Sequence, residues 1–275
     1  MLKYQVTLFS TLLLIGASSL ARSDAPPAIE MRASMPTATQ AHPEMSGAEI
    51  IANAFEFAGG HQFIRPGTLF LSGYNIIRPA GNSEYLWDHY AMWRQFADEK
   101  LDAHEASGKV RIEAWNERNL ELFLAFNGSQ TVDKNGLVED ESAANMWSNN
   151  FGFSAIRYAL DEGWQQIRKP DDLIDGQPAY FVQLVDPNGS QTLFAFRQSD
   201  FAIVYVGFNT AKGWHERRYS HFFRKPGVNW IQPGRVRLFY NGIKANEAIW
   251  TDFTVSEPID EALFSPKVSP RNPRW

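Results

Sequence analysis

Apolar positions along this chain recur with two different periods. After Ser46, residues Ile50, Ile51, Ala54, Phe55 and Ala58 fall on one helical stripe, Ser46 and Glu49 stand at capping-box spacing, and Gly59-Gly60 follows. This pattern predicts a helix over 46–58. The period then shortens to that of strands. Residues 68–78 (TLFLSGYNIIR), 109–117 (KVRIEAWNE) and 120–126 (LELFLAF) are rich in β-branched, aromatic and alternating residues, and Asn127-Gly128 closes the last of them. Residues 179–185 and 191–196 flank the turn Asp186-Pro187-Asn188-Gly189, and residues 235–240 and 244–255 flank Asn241-Gly242, the dipeptide best suited to a type I′ hairpin. Turns of this kind predict an antiparallel sheet built from consecutive hairpins.

A second helical stripe, Met146, Trp147, Phe151, Ile156, Ala159 and Leu160, interrupts the strands between Glu141 and Asp161, with a kink expected near Gly152 and a stop at Gly163. Residues 85–96 (YLWDHYAMWRQF) fit either period, and the strand reading is preferred. After Pro258 a short turn or helix, IDEALF, leads into a proline-rich basic tail at 267–275.

The amino-terminal pattern is different again. Lys3, the apolar run from Val6 to Leu20 and the small residues Ser19 and Ala21 have the order of a secretory signal peptide over 1–21, and the apolar run is short for a membrane span of ~20 residues. Residues 22–45 mix Pro, Ala, Ser and Thr without a period and read as a flexible leader. Export to the periplasm, with no transmembrane anchor, is the expectation. The chain has no cysteine, so a disulfide framework, a cysteine nucleophile and lipid attachment at a lipobox cysteine are excluded. A net charge of −5 gives no bulk attraction for nucleic acid. Nine tryptophans in a chain that is 14% aromatic point to a large apolar core or an aromatic-lined cavity.

The segment 213–223, GWHERRYSHFF, carries the most suggestive chemistry. His215-Glu216 opens like the zinc motif H-E-x-x-H, but the fifth position is Tyr219. Along a strand His215 and His221 would lie ~20 Å apart, too far for one ion. No metal is expected. As a strand, the segment places His215, Arg217, Tyr219, His221 and Phe223 on one face. That face is either a solvated one, on which Arg and His stems cover aromatic neighbours, or a cationic rung at the mouth of a cavity. The glycine-rich phosphate loops and the G-x-S-x-G elbow are missing, and paired acids such as Asp171-Asp172 read as loop surface.

Taken together, a capped helix, a long run of antiparallel strands with a helix inserted midway, and the ending RVRLFYNGIKANEAIWTDFTV followed by PIDEALF resemble the LolA-like periplasmic lipoprotein-carrier superfamily. The resemblance implies an α+β fold over 46–266: an open antiparallel half-barrel, an incomplete β-barrel whose concave face is covered by helices and shelters acyl chains or another hydrophobic ligand. The chain is longer than the carrier proper around 80–110 and 213–233, and no binding residue of the family is carried over. Independently of the likeness, a curved sheet that does not close leaves its inner face wet unless helices or a ligand cover it, at ~1.5–3 kcal/mol for each large side chain. The expected function is therefore a non-enzymatic, cofactor-free protein binding a lipid-like ligand, with His215, Arg217, Tyr219, Trp250 and Trp115 as candidate contacts. A module that binds another envelope protein, or senses envelope state, is the alternative. A hydrolase without a recognisable motif is the third reading.

Overall fold

The computed structural model describes residues 45–79, 83–265 and 270. The expected signal peptide, the leader up to residue 44 and most of the carboxy-terminal tail lie outside the described residues. Helix α1 (Gly47–Ala58) begins with the expected capping box: the Glu49 amide donates to Ser46 Oγ at 3.2 Å, and the Ser46 amide donates to the Glu49 carboxylate at 2.7 Å. Its apolar stripe, Ile50, Ile51, Ala54, Phe55 and Ala58, is buried. The Ile231 amide donates to the Ala58 carbonyl at 3.0 Å and Asn229 donates to the Gly59 carbonyl at 3.1 Å, so the end of the helix is tied to the loop before the penultimate strand. One turn of helix, α2 (His61–Ile64), follows.

Among the described residues thirteen strands form one antiparallel sheet. In chain order they are β1 (Thr68–Ile77), β2 (Tyr85–Gln95), β3 (Lys109–Asn116), β4 (Asn119–Phe126), β5 (Thr131–Asp133), β6 (Gly136–Val138), β7 (Gln165–Ile174), β8 (Gln177–Val185), β9 (Gln191–Arg197), β10 (Ile203–Thr210), β11 (Gly213–Phe223), β12 (Gln232–Tyr240) and β13 (Ile243–Val255). Each pairs with its neighbours in sequence, with two exceptions. β1 pairs with β13 in the middle of the sheet, in the register Leu69↔Val255 and Asn75↔Ala248, while β6 and β7 are the two free edges and do not pair with each other. The sheet is an open half-barrel, and the fold is α+β as expected.

The chain crosses from one edge to the other through the helical insert, α3 (Asp140–Phe151) and a 3₁₀ helix (Gly152–Tyr158). Trp147 and Phe151 of α3 pack on Val110, Ile112 and Leu124, and Trp147 Nε1 donates to Thr131 Oγ1 at 2.8 Å. The winding changes from α to 3₁₀ at Gly152, and a Cβ there would lie 2.2 Å from the Phe208 ring, so only glycine lets the insert settle on β10. The tighter winding shifts the register of the expected stripe: Ile156 and Ala159 are buried, but Leu160 turns out to solvent.

The hairpin turns match the sequence pattern. Asn241 and Gly242 both have positive φ, 49° and 78°, as a type I′ turn requires. Asn127 Oδ1 accepts from the Ser129 and Gln130 amides at the β4–β5 turn. Residues 85–95 are a strand, as preferred. Asp171 and Asp172 lie within edge strand β7 rather than on a loop, where Arg168 pairs with Asp171. Inner-face residues of distant strands, Leu71 of β1, Val182 of β8 and Val206 of β10, share one buried cluster with the α1 stripe. Gly152→Ala is expected to cost about 1–3 kcal/mol in urea unfolding by pushing the insert off the Phe208 ring. An unchanged midpoint would show that this contact does not set the position of the insert.

Candidate functional site

The helices do not fill the inner face completely. A cavity of about 530 Å³ remains between the sheet, α2 and the insert, within the ~300–1,000 Å³ range of small-molecule sites. Its floor crosses the central seam of the sheet. Gly73 of β1 pairs with Tyr90 on one side and Trp250 on the other, and because glycine has no side chain the two rings stack over it, centroids 4.9 Å apart. A Cβ on Gly73 would lie 1.8 Å from the Ile249 carbonyl oxygen, so the position admits glycine only. Leu71, Met92, Ala248 and Leu238 continue the floor, and Phe63, Phe153 and Trp230 stand over it from α2, the insert and the loop before β12.

Three guanidinium groups enter this apolar space. On β2, Arg94 has the same strand parity as Tyr90 and Met92, is 6% exposed, and donates to the Asn150 carbonyl at 3.2 Å. On β11, Arg217 donates from Nε to His215 Nε2 at 3.2 Å and from Nη2 to Asn150 Oδ1 at 3.4 Å. From the insert comes Arg157, 3% exposed, whose Nε and Nη1 have no hydrogen-bond acceptor among the described residues. The three are linked by shared neighbours: Arg157 and Arg94 both lie over the Phe96 ring, at 4.8 and 5.4 Å, and Arg94 and Arg217 both reach Asn150. Burial, and then the charge of Arg94, holds Arg157 down to about 9, and burial holds Arg94 down to about 10, so both remain cations at neutral pH.

What surrounds Arg157 is aromatic. Its guanidinium lies 4.3 Å from the Phe63 centroid, 5.3 Å from that of Trp230 and 5.7 Å from that of Phe153. Such contacts give ~0.5–2 kcal/mol each, but they satisfy no N–H donor, and each buried orphan donor costs ~1–3 kcal/mol, more when charged. Arg65 braces the backbone behind it, donating to the Arg157 carbonyl at 3.0 Å and to both oxygens of Asp161 at 2.8 and 2.7 Å. The neighbouring Arg218 shows the contrast. It points to the other face of β11 and is met there by Glu216 at 2.8 Å and Asp175 at 3.2 Å.

Of the five candidates from the sequence, Arg217, Tyr219 and Trp250 line the cavity. His215 shares their face but sits behind Arg217, fully buried between Phe208 and Tyr240. Accepting from Arg217 requires its neutral ring with the proton on Nδ1, and burial, then Arg217 and His104, pushes it down to about 2. Trp115 is on the opposite face, its indole N–H 3.4 Å from Glu113, which pairs with Arg111; Arg111 Nη1 in turn donates to the Leu263 carbonyl at 2.7 Å. Arg94 and Arg157 were not among the candidates, although both stand as charges inside otherwise apolar periods. Among the described residues no group of three or more His, Cys, Asp or Glu side chains is placed to hold a metal.

A LolA superfamily protein from Nitrosomonas europaea superposes on 80% of this chain and 98% of its own, with a TM-score of 0.52 and 12% identity. The chain has the LolA-like fold. A DUF1329 family protein from Desulfovibrio piger aligns over 80% of this chain and 97% of its own, with a TM-score of 0.48 and 11% identity. No protein-family model and no curated protein matches the sequence. At 12% identity the likeness is one of fold alone, and the side chains that line the cavity are this chain's own.

The burial of His215 is expected to make the folded protein sensitive to acid. Its folded-state pKa lies below the unfolded value of ~6.5, so as pH falls the unfolded chain takes up the proton first and stability is lost at up to ~1.4 kcal/mol per pH unit, from about pH 6.5 down toward the folded value. His104, also depressed by burial, acts in the same direction. Urea titrations between about pH 6 and about pH 4 should show a shallower loss for His215→Gln than for the wild type, and parallel losses would exclude His215 as a source.

Proposed function

We propose that this protein is an exported, non-enzymatic binding protein that holds a lipid or other amphiphile in the cavity of its half-barrel and carries it through the periplasm. The observation that carries the reading is the cavity itself: about 530 Å³ of space, floored by the stacked Tyr90 and Trp250 rings, which the helices leave unfilled in a tightly packed molecule. Its lining is largely aliphatic and aromatic with a few polar groups, the composition of a site for a hydrophobic ligand. Three of the five candidate contacts from the sequence, Arg217, Tyr219 and Trp250, line this cavity together with Arg94 and Arg157, which supports the reading. The signal-peptide pattern at 1–21 supports passage across the inner membrane, and among the described residues no helix is long and apolar enough to cross a membrane.

Native mass spectrometry of gently purified protein should reveal a co-purified lipid, and the delipidated protein should take up a fluorescent fatty acid. Ala248→Trp, which places an indole on the cavity floor, should lower that uptake by about tenfold or more while the far-ultraviolet circular dichroism stays that of the wild type. Reproducible absence of both lipid and uptake in the wild type would refute the reading. A stoichiometric protein partner recovered from envelope extract in place of lipid would favour an interaction module instead.

A further inference from the structure

The charges that touch the cavity divide by depth. At its rim both signs occur: Glu121 and Asp133 are half-buried on β4 and β5, and Lys134 and Lys212 are exposed in turns. The two charged side chains more than nine-tenths buried in the cavity wall, Arg94 and Arg157, are both positive. Among the described residues neither pairs with a carboxylate, and Arg157 offers Nε and Nη1 with no acceptor from a setting of aromatic rings. A guanidinium presents its N–H groups as a planar fork that matches two oxygens of one carboxylate or phosphate. The wall thus supplies charge and donors and lacks the group that would complete them.

Resting on the amphiphile reading above, we propose that the cavity selects amphiphiles with a compact anionic headgroup, a carboxylate or a phosphate monoester, and that this headgroup lies inside the cavity against Arg157 and Arg94. The anion balances the two cations and relieves the repulsion between them, while the hydrocarbon chain runs over the Trp250 and Tyr90 rings. A neutral head of the same size leaves the two cations uncompensated, and a site built around buried positive charge discriminates strongly against a ligand that cannot balance it.

The test is calorimetric titration of delipidated wild-type protein with hexadecanoic acid, hexadecyl phosphate, hexadecanol and inorganic phosphate. The acid and the alkyl phosphate should bind at least about a hundredfold more tightly than the alcohol. In Arg157→Met the acid-to-alcohol ratio should fall toward one, and in Arg157→Lys, which keeps the charge, a preference for the acid should persist. Equal affinities of the wild type for acid and alcohol would overturn anion selection and leave the amphiphile reading standing. Binding of neither would remove both. Inorganic phosphate binding as tightly as hexadecyl phosphate would make the site one for a free anion. An unchanged ratio in a folded Arg157→Met variant would place the headgroup away from Arg157 and overturn the proposal.

Discussion

An antiparallel sheet whose two outer strands never meet has to cover its inner face with something other than itself. Here β6 and β7 remain apart, and the chain spans the gap between them with helix instead of with hydrogen bonds between strands. Everything placed on the inner face follows from this. The α1 stripe, Trp147 and Phe151 of α3, and Ile156 of the 3₁₀ segment cover most of it, and what they do not cover is the cavity.

The two faces of the sheet treat charge in opposite ways, and the difference is one of solvation. On the outer face Arg218, Arg235 and Arg237, themselves partly exposed, each meet a carboxylate, that of Glu216, Glu247 or Asp175. On the inner face Arg94 and Arg157 lie among rings with backbone carbonyls or nothing to accept from them. Burying a cation in this way costs stability, and the fold tolerates it because the surrounding apolar cluster is large and because Arg65 and Asp161 hold the backbone of the insert from outside.

Most of the architecture was legible in the sequence because it is written in local signals. The capping box at Ser46 and Glu49 and the Asn241-Gly242 turn each act through neighbouring residues, and each is where the pattern put it. β7 escaped because its polar run contains Pro170, which the sheet accepts only at an edge, and β5 and β6 because strands of three residues carry no period. The site was less legible. Strand parity could have separated Trp115, which shares a face with Arg111 and Glu113, from Val110, Ile112 and Ala114 on the inner face, and could have set Arg94 in line with Tyr90 and Met92; Trp115 nonetheless stood among the candidates and Arg94 did not. Arg157 could not be assigned in this way, since its burial depends on the insert folding back over a sheet made from distant parts of the chain.

The seam between β1 and β13 also constrains how the molecule is made. The first strand can pair with β2 as soon as that hairpin forms, but its other side must wait for the last strand to emerge, since no earlier segment takes that place. Until then one arm of hairpins ends in the bare flank of β1, and the growing second arm has no such flank to join. The final strand completes the seam and, in the same event, delivers Trp250 to Tyr90. Such long-range pairing is slow, because the whole intervening loop must be closed before any contact rewards it. The cavity floor is therefore complete only once the last strand is in place, and a chain interrupted before β13 would display an unpaired strand at the cavity.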